Sequence, residues 1–126
     1  MTKADPMQLS GAIEPEISAT RPIQDGVQID LSVPHDLAYL EGHFPETPIV
    51  PGVVQIDWAI RLAARYLHLD IEAGTHFQVK YRRIFLPGRP VILTLHIKSE
   101  FLRFDYADQG ELLSSGSIRL KPAKGR

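Results

Sequence analysis

The chain has 126 residues, enough for one domain with a sizeable core and too few for two. Its 14 basic and 15 acidic residues nearly cancel, which excludes a bulk field drawing it to nucleic acid or to an acidic membrane surface. Cysteine is absent, so disulfides, thiolate zinc sites and cysteine nucleophiles are excluded together.

In chain order, the first twenty residues carry Asp5, Glu14 and Glu16 and no apolar run of signal-peptide length. No uncharged apolar stretch elsewhere approaches the roughly 18 residues of a membrane helix. These features predict a cytoplasmic protein without membrane insertion, folded as a single domain over 1–126. Residues 1–10 and the basic tail 121–126 hold few apolar side chains and are expected to be loosely ordered.

Residues 14–33 predict a hairpin. Val27, Ile29, Leu31 and Val33 alternate with Gln28, Asp30 and Ser32, the period-two pattern of a half-buried strand. Asp25-Gly26 is a turn signal, which makes 17–23 the partner strand. Pro22 lacks an N–H and places that partner at a sheet edge or a bulge.

Residues 34–51 hold four prolines and Gly42 and predict an ordered loop, with one helical turn at 36–40. Residues 52–67, GVVQIDWAIRLAARYL, predict one long helix, opened by Pro51 where proline suits a helix start. Only Gln55, Asp57, Arg61 and Arg65 interrupt its apolar surface, so it is expected to be enclosed on most sides. Strands follow at 76–84, 91–100, 101–106 and 112–120, with turns at Leu86-Pro87-Gly88 and Asp108-Gln109-Gly110. One long helix wrapped by a curved antiparallel sheet is the arrangement that buries such a helix. The fold class is α+β, and the architecture is called a hot-dog fold.

The segment 40–59, LEGHFPETPIVPGVVQIDWA, contains His43, Phe44, Pro45, Pro48, Pro51, Gly52, Val53 and Asp57. In its spacing it resembles the signature of the 3-hydroxyacyl-[acyl-carrier-protein] dehydratases of bacterial fatty acid synthesis. Those enzymes carry His-Phe-Pro, a further proline, Pro-Gly-Val opening the central helix, and an acidic residue five positions after the glycine. Val79-Lys80-Tyr81-Arg82-Arg83 followed by Leu86-Pro87-Gly88 resembles the strand and turn that follow the helix there. The wording Val-Val-Gln-Ile-Asp-Trp is nearest to the dehydratase-like branch of aryl polyene biosynthesis clusters.

The resemblance implies a lyase acting on a 3-hydroxyacyl chain linked to the phosphopantetheine arm of acyl carrier protein, with no metal or redox cofactor. It also implies a homodimer in which His43 and Asp57 cooperate across subunits, with a higher oligomer or a heterodimer as alternatives. The residue types suit the chemistry. A neutral histidine, with an ordinary pKa of about 6.5, removes the C2 proton near neutrality. The backbone N–H of Gly52 presents the positive end of the helix dipole to the thioester oxygen as negative charge builds, and a glycine keeps a Cβ out of the way there. Asp57 lies about 7.5 Å further along the helix, in an otherwise apolar element, where a buried ionisable group is costly unless partnered or used.

Phe44, Pro51, Val53, Gln55, Ile56, Ile60 and Phe85 are candidates to contact the substrate, the apolar ones lining a tunnel beside the helix. Two departures from the family pattern stand out. Arg61, commonly glutamine there, is spaced for an ordinary i,i+4 pair with Asp57, and a cation favours the ionised carboxylate over the proton donor. Glu46 replaces a glycine. Lys80, Arg82, Arg83, Arg89 and Arg103 form a basic subset, read either as a solvated strand face or as a docking patch for the acidic carrier. A hot-dog thioesterase and a non-catalytic acyl-binding partner subunit are the rival readings.

Overall fold

The computed structural model describes residues 14–34, 49–69 and 76–120. Among these, six strands form one antiparallel sheet and one helix packs on it. The elements are β1 (Glu16–Ile23), β2 (Gly26–Ser32), α1 (Gly52–Leu67), β3 (Phe77–Tyr81), β4 (Val91–Lys98), β5 (Phe101–Asp108) and β6 (Glu111–Arg119). Strand order is β1-β2-β4-β5-β6-β3, so β1 and β3 are the two edges. This is the hot-dog arrangement. The predicted loop at 34–51, its helical turn and Glu46 fall largely outside the described residues, as do both chain ends.

The alternation in β2 does what the sequence predicts: Val27, Ile29 and Leu31 are buried while Gln28 and Asp30 stay half-exposed. Leu93, Leu95, Leu102, Phe104, Tyr106 and Ile118 complete the inner face of the sheet, each at most 1% exposed. Pro22 does lie in an edge strand, and β1 also carries a register shift between Ile17 and Ala19. The turn differs in detail. Ile23 pairs with Gly26, so Gln24 and Asp25 form the loop, and Asp25 takes the left-handed φ of 61°. Gly26 belongs to the strand instead, where a Cβ would collide with the Leu95 carbonyl of β4.

The remaining hairpins also use two-residue loops. Gln109 and Gly110, at φ 52° and 84°, give the doubly left-handed turn that matches strand twist. Between β4 and β5 the loop is Ser99-Glu100, with Ser99 at φ 55°. No glycine or proline marks this turn, which is why the sequence reads as two abutting strands.

The strand expected over 76–84 ends at Tyr81. Its last rung pairs Tyr81 with Ser114, and the N–H groups of Arg82 and Arg83 then both donate to the single Leu113 carbonyl, at 2.8 and 3.1 Å. Two donors on one acceptor end the ladder, and the chain turns away from the sheet.

Helix α1 spans the predicted residues, from Pro51 as N-cap to His68 as C-cap at φ 57°. It is less enclosed than its composition implies. Gln55, Trp58, Ala59, Leu62 and Ala63 are buried, because the sheet covers one face only, while Val53 is 73% exposed. Trp58 is a core residue, edge-on to Phe85 at 6.3 Å, and Phe85 meets Tyr106 at 5.3 Å. Such aromatic pairs add about 0.5–1.5 kcal/mol each beyond area burial.

Candidate functional site

The helix begins abruptly, with no side-chain cap. The N–H groups of Val54 and Gln55 both donate to the Pro51 carbonyl, at 3.1 and 3.2 Å. Those of Gly52 and Val53 have no partner among the described residues. Free N–H groups at a helix start carry the positive end of its dipole. Beside them lies a cleft of about 410 Å³. Ile49, Val50, Ile84 and Phe85 give it apolar walls, and Gly52, Gln55, Tyr81, Arg82 and Arg83 complete its lining.

The wall on the helix side is fastened by hydrogen bonds. Val50 N–H donates to the Phe85 carbonyl at 2.8 Å, and Gln55 Nε2 donates to the Val50 carbonyl at 3.0 Å. Ser114 Oγ donates to Gln55 Oε1 at 2.7 Å, and the Tyr106 hydroxyl donates to the Gln55 carbonyl, also at 2.7 Å. Gln55 and Ser114 are buried, at 4% and 0% exposure. Gln55 thus braces the start of α1 against the sheet as well as facing the cleft, a role its position in the sequence does not reveal.

The reason for glycine at position 52 also differs from the sequence reading. A Cβ there would lie 2.5 Å from both Cζ and Oη of Tyr81. The space is filled by the phenol ring of Tyr81 at the end of β3, so a larger residue at position 52 would have to displace that ring. Partial burial pushes the Tyr81 phenol above its usual pKa. Tyr81 was legible only as part of a motif. Its contact with Gly52 joins residues 29 positions apart, and nothing local in the sequence announces it.

The structure brings Gly52, Gln55 and Phe85 to one cleft, with Pro51 as the cap of the helix that borders it. Ile56 and Ile60 pack partly buried against the core and are not among the lining residues. Val53 points to solvent. His43 and Phe44 lie outside the described residues. Asp57 is not buried, as its apolar surroundings implied. Its side chain is 48% exposed and accepts from Arg61 Nε at 2.9 Å, and it does not line the cleft. Arg61 also approaches Glu14 at 3.7 Å, and Arg65 reaches Glu14 at 3.3 Å, so this side of α1 carries a mixed ion-pair network.

The basic subset spreads over two faces, with Arg82 lining hollows on both. Arg82 and Arg83 border the cleft, and Arg83 pairs with Glu111 at 3.1 Å. Arg89 pairs with Asp108 near the hairpin tip. Lys80 stands opposite Ser115 and Arg103 opposite Ser117. All four residues line a second hollow on the sheet face turned away from α1.

A family model described as ApeI dehydratase, of the ApeI-like family, matches residues 19–117. The chain belongs to the ApeI-like family. Its structure is similar to the Dehydratase Heterocomplex ApeI:P from Xenorhabdus doucetiae, with a TM-score of 0.73 and 30% identity over 86% of this chain and 98% of that one. An uncharacterized protein from Erwinia carotovora subsp. atroseptica is similar at TM-score 0.65 and 29% identity, over 87% of this chain and 98% of that one. Among curated proteins, the 3-hydroxyacyl-[acyl-carrier-protein] dehydratase FabZ of Clostridium novyi (strain NT) is 36% identical over 66 residues, covering 47% of this chain. The ApeI-like chain therefore spans about half the length of that relative, 46%. Thioesterase superfamily member 2 from Mus musculus shares the fold at TM-score 0.62 over 84% of this chain and 80% of that one, but only 13% identity. No helix among the described residues is long and apolar enough to cross a membrane.

Proposed function

We propose that this ApeI-like chain dehydrates 3-hydroxyacyl thioesters, carried on the phosphopantetheine arm of acyl carrier protein, to trans-2-enoyl thioesters in fatty acid or aryl polyene biosynthesis. The observation that carries the reading is the pair of N–H groups at Gly52 and Val53, without a partner among the described residues, beside an apolar cleft, in a chain of the ApeI-like family. In this mechanism the thioester oxygen sits at those donors. His43 takes the C2 proton, the C2–C3 double bond forms, and the C3–O bond breaks. The hydroxyl leaves as water, with the proton supplied from the side of Asp57 of the partner subunit. One well-placed donor to the developing oxyanion contributes roughly 3–4 kcal/mol of transition-state stabilisation. The placement of Asp57 away from its own chain's cleft supports a site shared between two chains.

One observation favours a second reading. The Asp57–Arg61 ion pair engages the expected acid, and a similar structure is that of a heterocomplex. On that basis the chain serves as the non-catalytic half of a mixed dehydratase. The thioesterase reading has only a fold-level likeness behind it.

The test uses a 3-hydroxyacyl thioester of the carrier protein and follows the ultraviolet absorbance of the conjugated enoyl product. The purified chain should generate it, and His43→Ala should lower the rate by several orders of magnitude without unfolding the protein. Activity that appears only after adding a second dehydratase chain, and persists with His43→Ala, would establish the partner reading. Release of free thiol without enoyl absorbance would make the chain a thioesterase.

A further inference from the structure

Tyr81 is a polar side chain of the cleft, set against the helix start, that the proposed chemistry leaves without a task. Its ring lies against Gly52, with Cζ and Oη equally close to the missing Cβ. A phenylalanine would fill that space as well, so packing does not account for the hydroxyl. Oη makes no hydrogen bond with any described residue, although the cleft walls beside it, Ile49, Val50, Ile84 and Phe85, are apolar. Tyr81 is 52% exposed in the free chain, where its hydroxyl meets water; once a bound acyl chain displaces that water, the hydroxyl is costly unless the incoming group accepts its proton.

The backbone under Tyr81 is fixed. Its rung with Ser114 closes β3, and the next N–H is held by Leu113. The ring therefore approaches the helix start from a rigid strand end, and its phenol, pushed above its usual pKa by partial burial, donates at neutral pH.

We propose that the Tyr81 hydroxyl donates a hydrogen bond to the carbonyl oxygen of an acyl thioester bound in this cleft, opposite the N–H groups of Gly52 and Val53. The inference rests on reading the cleft as the thioester site and adds a donor from β3. The ligand class is an acyl thioester whose carbonyl accepts from two sides, and an acyl chain joined through an ether-like linkage lacks the acceptor that the hydroxyl requires.

The variant is Tyr81→Phe, which keeps the ring on Gly52 and removes only the hydroxyl. The probe is a trans-2-enoyl pantetheine thioester, isotopically labelled at the carbonyl carbon, bound to the full chain and read by infrared difference spectroscopy. The carbonyl stretch should move to higher frequency in Tyr81→Phe, while the melting temperature stays put. With a 3-hydroxyacyl thioester, kcat should fall about 10²-fold, the scale seen on losing one oxyanion donor. A carbonyl band that does not move overturns the inference, even if dehydration itself is confirmed. A band that moves in a protein producing no enoyl thioester upholds the Tyr81 contact and discards the catalytic reading. Failure of the thioester to bind discards both.

Discussion

Replacing Gln55 by leucine isolates the brace that holds the start of α1. The two side chains are similar in volume, so the change removes polar partners and leaves the space nearly filled. It strips the Val50 carbonyl of its 3.0 Å donor and Ser114 Oγ of its 2.7 Å acceptor, both in residues no more than 2% exposed. Each orphaned buried group costs about 1–3 kcal/mol, and the apolar leucine offsets roughly 1 kcal/mol. The expected net loss is about 1–5 kcal/mol, or roughly 4–20 °C in Tm for a domain of this size. Urea unfolding at fixed protein concentration, followed through Trp58 fluorescence, measures it, because any association would couple stability to concentration. Adding Ser114→Ala should recover about 1 kcal/mol, since the orphaned hydroxyl goes with it. A Gln55→Leu protein within about 0.5 kcal/mol of the parent would mean that these bonds do not hold the helix start.

Phe85→Ala should cost about 3–5 kcal/mol, because the ring is 1% exposed and packed between Trp58 and Tyr106; a loss below about 1 kcal/mol in urea unfolding would contradict that packing. Ser99→Gly should stabilise by about 0.5–1 kcal/mol, since a side chain at φ 55° is strained and glycine is not; thermal unfolding that shows a loss would place the strain elsewhere. Hydrogen bonds from Arg21 hold the Asp30 carboxyl below its ordinary range. A depressed folded value means that the contribution is present above the unfolded pKa of about 3.9 and is lost as pH falls through the folded one. A carboxyl-carbon NMR titration of Asp30 should accordingly give a midpoint below about 3.9, moving up in Arg21→Gln; a midpoint at or above it would remove the pair's influence.

Much of the fold is written locally. The β1–β2 hairpin follows from period-two alternation, α1 from an unbroken run after Pro51, and the β5–β6 turn from Gln109-Gly110. The Ser99 turn escapes because serine in a left-handed conformation carries no signature in the sequence. The early end of β3 escapes because it depends on a carbonyl of β6. At the candidate site the motif marks Gly52 and Gln55 but not the groups they pack against or bond to. Their partners, Tyr81 for one and Val50, Ser114 and Tyr106 for the other, are mostly supplied by distant strands. The exposure of Asp57 is hidden for a related reason. An apolar helix composition does not tell which face the sheet leaves open.

The two rims of the sheet are unequal. On β1, Pro22 withholds a donor and the register shift bends the row of backbone groups, a combination that discourages a newcomer. On β3 the five-residue row is uninterrupted. A sheet with one blocked rim and one receptive rim can add a single further chain and then stop, whereas two receptive rims would let copies propagate into a filament. Pro22 thereby leaves the β1 rim a poorer template for an added strand than the β3 rim, a consequence unrelated to the chemistry of the cleft.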